Sequence, residues 1–172
     1  MEGAWACSVC GVVHEGLPLD WGFAEPAYWN QERDGRDGFL DSDRCVIRHA
    51  GAESDYFVRG MIEIPILDGT SEDAVYFGIG AWTSLSERNF RWYSENWEAD
   101  RDAQGGAWFG WLSSRVPVYP ETLSLKTDVF LRGEKWRPLI VVRPTEHPLA
   151  VDQREGITLA RARELSAQWL HL

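Results

Sequence analysis

At 172 residues and a formal net charge of −10, the chain is long enough to bury roughly two thirds of its unfolded surface as one domain, without metal or disulfides for bulk stability. Three cysteines cannot all pair within one chain, no apolar run approaches the roughly 18 to 20 residues of a membrane span, and no charged-then-apolar segment opens the sequence. A protein of the reducing cytoplasm, with no membrane partner, is therefore expected.

Near the start stands Cys7-Ser8-Val9-Cys10-Gly11, followed by His14. Two residues between thiolates let both sulfurs converge on a tetrahedral metal, and the glycine takes the positive φ that such a turn needs. Cys45, the remaining cysteine, lies roughly three dozen residues on, a loop that a structural zinc closes at modest entropic cost. The expected set is Cys3His: Cys7, Cys10, His14 and Cys45, with His49 as the substitute for His14. A redox role for the C-x2-C pair is disfavoured, because Val12 to Pro18 soon runs into Gly16 and Pro18 rather than into a helix.

Residues 16–30 are aromatic and punctuated by Pro18 and Pro26, an irregular stretch expected to lie over a sheet edge, and Gln31 to Asp43 reads as an exposed loop. Asp43-Arg44-Cys45-Val46-Ile47 is strand-like. Tyr56 to Ile66 and Val75 to Trp82, rich in β-branched and aromatic residues and separated by Asp68-Gly69, predict two long antiparallel strands. Ser86 caps a predicted helix whose Phe90, Tyr93 and Trp97 recur at helical spacing, with Phe90 and Trp97 on one stripe. After the Gln104-Gly105-Gly106 breaker, Leu123 to Phe130 and Trp136 to Val142 predict a hairpin turning at Arg132-Gly133-Glu134. A short helical turn near His147 to Gln153 and a last helix capped by Thr158, with Leu159, Ala162, Leu165, Ala167 and Leu170 on its apolar face, complete the chain.

The expected fold class is α+β: an antiparallel sheet of about five strands with packed helices and an N-terminal zinc knuckle. One domain spans 1–172, with a knuckle segment 1–50 packed on the sheet of 56–142 and C-terminal helices in 146–170.

These motifs resemble the DUF2199 family of uncharacterised bacterial proteins across nearly the whole length. They include Cys7-x2-Cys10-Gly11-x2-His14-Glu15-Gly16-Leu17-Pro18, Asp43-Arg44-Cys45-Val46-Ile47, Phe57-Val58-Arg59-Gly60, Trp82-Thr83-Ser84-Leu85-Ser86-Glu87, Phe109-Gly110-Trp111-Leu112, Tyr119-Pro120-Glu121-Thr122-Leu123 and His147-Pro148-Leu149-Ala150. The resemblance implies no activity, cofactor or substrate. It does imply that Cys7, Cys10, His14 and Cys45 go together, since each stands where the family pattern has it.

Charge bears on partners. Residues 1–102 carry a balance of −12 and residues 103–172 one of +2, so an acidic front half repels phosphate backbones and nucleic acid is not expected as a partner. The expected function is a non-enzymatic, protein-binding or regulatory module with a structural zinc, in the manner of small acidic immunity proteins. Most of the ten tryptophans are expected to pack the core, and a few exposed together would mark a partner surface. The alternative is a small metal-assisted or acid-base hydrolase using His147 with Glu146 as acid and base, Arg59 and Arg137 as anion clamps, and Glu63 as a second carboxylate. Each of these has a plainer role: His147 capping a helical turn, Arg137 bracing a strand end, Glu63 on a solvated strand face.

Overall fold

The structure is a computed structural model that describes residues 4–69, 76–133 and 136–172. Ten strands and five helices follow one another in these residues. They are β1 (Ala4–Ala6), β2 (Val13–Glu15), β3 (Asp20–Gly22), α1 (Gln31–Asp34), β4 (Phe39–Leu40), β5 (Arg44–Ile47), β6 (Asp55–Pro65) and β7 (Tyr76–Leu85). Then come α2 (Glu87–Glu95), α3 (Arg101–Gln104), β8 (Trp108–Trp111), β9 (Lys126–Phe130), β10 (Leu139–Val142), α4 (Pro148–Glu155) and α5 (Leu159–Leu170).

The α+β class holds, but the sheet is larger than the sequence suggests and is mixed. Eight strands form it, ordered β3-β7-β6-β10-β9-β8 with β4 and β5 attached through β6, and the pairs β3/β7 and β6/β10 are parallel. The long β6/β7 ladder and the β9/β10 hairpin arise where the sequence places runs rich in β-branched and aromatic residues. The irregular stretch 16–30 contributes an edge strand instead of merely covering one, and Gln31 to Asp43 is partly built rather than a loop. In that segment Asp34 is buried, accepting from Asn30 N and from the Arg33 guanidinium. Val75 and Glu134, read as strand start and turn residue, lie outside the described residues.

The sheet has two irregularities. Leu112, just after β8, forms a bridge with Thr83, and the Ser113 amide donates to the Trp82 carbonyl, so the sheet curls back towards β7. The second is a fork. The amides of Arg59 and Met61, two residues apart and therefore aimed at the same edge of β6, donate to Asp43 O and Pro138 O respectively. β5 thus runs along 55–58 of that edge and β10 takes it from 61 onward.

Alternation on β6 sorts the core. Val58, Ile62 and Ile64 are wholly buried on one face. Ile62 and Ile64 lie beneath Leu149 of α4 and Ala162 and Leu165 of α5, whereas Val58 packs with Phe90 and Tyr93 of α2. Ser86 and Thr158 cap α2 and α5 as expected, each accepting from the backbone amide three residues on, a contact worth about 1 kcal/mol. Trp97, beyond the end of α2, is exposed and does not share a buried stripe with Phe90. Leu170 is likewise exposed on α5. The opposite face of β6 carries Phe57, Arg59, Met61 and Glu63. There Phe57 joins Trp29, Cys45, Ile47 and Trp82 in a separate apolar cluster.

Candidate metal centre

The β1/β2 hairpin pairs Trp5 with His14 and Ala6 with Val13, and residues 7–12 form its loop. That loop is closed by two short backbone bonds, Cys7 N to Val12 O (2.9 Å) and Gly11 N to Cys7 O (2.9 Å). Gly11 lies at φ 71°, the left-handed region that the sequence motif anticipated. The thiol groups of Cys7 and Cys10 and the His14 ring therefore point into one space. Trp5 holds the frame: it is buried with Cys7 against Ala167 of α5, stacks on His14 at 5.4 Å between ring centroids, and donates Nε1–H to Gly16 O.

The fourth member comes from the far end of the chain. Cys7 Sγ lies 3.3 Å from Nε2 of His171, the residue that closes α5, and Cys10 Sγ lies 3.4 Å from His14 Nε2. One ligand atom from each of Cys7, Cys10, His14 and His171 lies within 4.8 Å of the others. A tetrahedral ion with metal–sulfur bonds of about 2.3 Å and metal–nitrogen bonds of about 2.0–2.1 Å has sulfur–nitrogen edges of roughly 3.5 Å, close to the separations here. The donor set and its dimensions fit a tetrahedral metal with all four positions supplied by protein.

Electrostatics favour the charged thiolate that a metal requires. The amide of Cys10 is the largest cause holding the Cys7 thiol at about 6, against an ordinary 9.0, and the Val9 amide and the side chains of Cys10 and His171 act in the same direction. Burial opposes them and loses.

Cys45 and His49 are elsewhere. Cys45 sits on β5 opposite Phe57 and Leu40, with no measurable exposure, enclosed by Trp29, Ile47, Phe57 and Trp82. Burial, aided by the negative charges of Asp34, Glu25 and Asp41, pushes its thiol up to about 12, so it is a neutral core side chain. The expected Cys3His set is corrected in this respect: Cys7, Cys10 and His14 converge, Cys45 does not, and His171 takes its place. His49 bonds Asp55 at 2.8 Å instead. His171 gave no spacing signal, being a lone histidine 157 residues beyond His14.

The hydrolase set does not assemble either. His147 caps α4, its Nδ1 accepting from the Leu149 amide at 3.2 Å, on the sheet face that bears Ile62. Arg59 and Glu63 lie on the other face, Glu146 is exposed, Glu63 pairs with Arg132, and Arg137 pairs with Asp43 at 2.6 Å.

Among the described residues, no helix is long and apolar enough to cross a membrane. No curated protein and no solved structure matches the chain. The model of a family described as an uncharacterised protein conserved in bacteria matches residues 6–157, a span that holds Cys7, Cys10 and His14 and stops short of His171. With a match over most of its length, the chain belongs to the DUF2199 family.

Proposed function

We propose that this chain is a non-catalytic binding module whose two ends are fastened by a structural zinc ion. The observation that carries the metal assignment is the convergence of two thiol groups and two imidazoles within 4.8 Å, a borderline-soft set with four protein donors, which suits zinc and leaves no position for a substrate. Cys7, Cys10 and His14 would hold the ion locally and His171 would complete it. An unfolded chain gathers the first three cheaply, but His171 lies 164 residues from Cys7, so only the folded chain supplies all four. His171 is therefore the ligand that couples metal binding to the fold.

Partner binding is supported by the acidic front half and by three exposed tryptophans, Trp97, Trp111 and Trp136, which fit a basic protein partner better than nucleic acid. The other seven tryptophans are buried or half-buried, as core packing requires. Duplex DNA and RNA are expected to bind only at weak, non-specific levels at physiological salt. The test is a metal assay on purified protein: about one equivalent of zinc per chain is expected, falling in Cys7→Ser and in His171→Ala and unchanged in Cys45→Ser. Metal-free protein in which all three thiols titrate would end this proposal. A metal-assisted hydrolase would need an open coordination position; an ion bound by fewer than four protein ligands, with turnover lost on chelation, would favour it instead.

A further inference from the structure

A second site is built where the sheet curls back and β8 approaches β7. A cavity of about 390 Å³, within the size range of small-molecule sites, opens there with Tyr28, Phe57, Trp111, Asp55, Ser84 and Ser113 in its lining. The pleat brings them together. Asp55 and Phe57 stand two residues apart on β6 and so share a face, and Ser84 lies opposite Phe57 across the β6/β7 ladder. Trp111 arrives from β8: its amide donates to Ser84 Oγ at 3.0 Å, and the Ser113 hydroxyl donates to its carbonyl at 2.9 Å. The Ala27 amide donates to Ser113 O at 2.8 Å and so ties Tyr28 to the same corner, where its ring stacks on Phe57 at 6.2 Å between centroids. The fold itself therefore holds the walls in place.

The lining combines aromatic rings with one negative charge. Phe57 is buried, whereas Tyr28 and Trp111 are each 43% exposed and keep ring surface open at the cavity. Asp55 is the one formally charged side chain among the described lining residues. Its Oδ2 lies 2.8 Å from His49 Nε2, and among the described residues its Oδ1 has no hydrogen-bond partner. Lys126 stands outside the lining with its Nζ 5.9 Å from the Trp111 ring centroid, so this ring already attracts a cation.

We propose that this cavity binds an organic ammonium ion carrying methyl groups on nitrogen, its charge set against the rings of Trp111 and Tyr28 and balanced by Asp55. The faces of aromatic rings carry partial negative charge, and methyl groups spread the ammonium charge over a surface that rings can cover without the heavy desolvation cost of a bare ammonium. An anion would meet Asp55 with no cationic side chain in the described lining, and a neutral molecule would gain nothing from the carboxylate. The net charge of −10 favours the approach of a cation as well. The proposal does not depend on the metal centre.

Isothermal titration of the whole chain tests it with choline and with 3,3-dimethylbutanol, which has the same shape but carbon in place of the charged nitrogen. Choline should bind saturably and the alcohol about tenfold or more weakly. Trp111→Leu and Asp55→Asn, both at exposed positions, should each weaken choline binding several-fold, while Lys126→Met should strengthen it by removing a like charge near the ring. Thermal midpoints separate loss of the site from loss of the fold, and Tyr28→Leu on the facing wall replaces Trp111→Leu if that variant does not fold. A peptide with one trimethyl-lysine presents the same ammonium group; whichever of peptide and choline binds more tightly identifies the source as a protein side chain or a free ion, and either result supports the site. The proposal is overturned if choline does not bind the parent or if the alcohol binds as tightly. It is also overturned if folded Trp111→Leu and Asp55→Asn both bind choline like the parent, or if a methyl glucoside binds more tightly than choline, which would make the rings a sugar platform.

Discussion

Cys7 and Cys45 are the same residue in opposite surroundings. Both are buried, yet one thiol is held at about 6 and the other pushed to about 12. Around Cys7 the loop turns backbone amides and two imidazoles towards sulfur, while the apolar support amounts to Trp5, Ala167 and the flank of Leu17. Around Cys45 the chain supplies three aromatic rings and an isoleucine, and carboxylates beyond them that oppose ionisation. What faces the sulfur separates the two: amides and an imidazole favour the Cys7 thiolate, whereas burial first and carboxylates second oppose ionisation of Cys45. With the proposed ion bound, the Cys7 region would depend on its ligands and the Cys45 region on packing, and the two should fail under different insults.

The largest separation is expected from removing metal. Chelation, or His171→Ala, should raise amide hydrogen exchange by orders of magnitude in residues 4–17 and the last turn of α5, while β5, β6 and β7 keep their protection. Protection lost along β5 as well would tie Cys45 to the centre after all. One-step melting of the whole chain would mean that the sheet is not independent of the ion.

Trp82→Ala should do the reverse. Deleting a side chain with no exposure from the cluster around Cys45 should cost about 3–5 kcal/mol in a denaturant titration, with the metal stoichiometry of the remaining folded protein unaltered. Cys45→Ser is the milder form of the same insult. A hydroxyl among aromatic rings with no partner should cost about 1–3 kcal/mol, and a loss of metal in this variant would refute the assignment of Cys45 to the core.

The smallest effect is in alkaline pH. Cys45 ionises in the unfolded chain near 9.0 but in the folded protein only at about 12, so the stability that this difference supplies is complete below pH 9 and is lost as pH rises towards 12. Tyr93 and Tyr119, whose hydroxyls burial also raises, contribute slopes of the same sign at higher pH. Between pH 9 and 10 the stability of Cys45→Ala should therefore fall less steeply than that of the parent, measured by denaturant midpoints. Equal slopes would show that Cys45 ionises normally.

The long elements were legible because their residues repeat a face many times over. β6 offers eleven residues that largely alternate, β7 ten that are apolar and buried almost throughout, and α2 and α5 carry both a cap and a buried stripe. β3 and β8, three and four residues long, are too short to show a period, and the parallel pairing of β10 with β6 depends on partners far apart in sequence. Misplacing Cys45 has a readable cause. Counting cysteines treats them as ligands whatever their neighbours, whereas Cys45-Val46-Ile47 is an unbroken apolar run, the mark of a strand buried on both faces. His171 left no such trace, because its role comes only from where α5 ends relative to the hairpin. That Arg59 and His147 occupy opposite sides of the sheet was not legible either, because only the pleat shows which side each takes.

The meeting of the hairpin with the end of α5 also has a mechanical meaning. Tension applied between residues 7 and 171 would not reach the β6/β7 ladder first. It would enter where Cys7 Sγ and His171 Nε2 are already within 3.3 Å, and with an ion bound the load would fall on the one bond from His171 to an ion held by the hairpin, and on Trp5 against Ala167. The sheet would begin to shear only after those had parted, so the centre would act as a latch in parallel with the rest of the molecule.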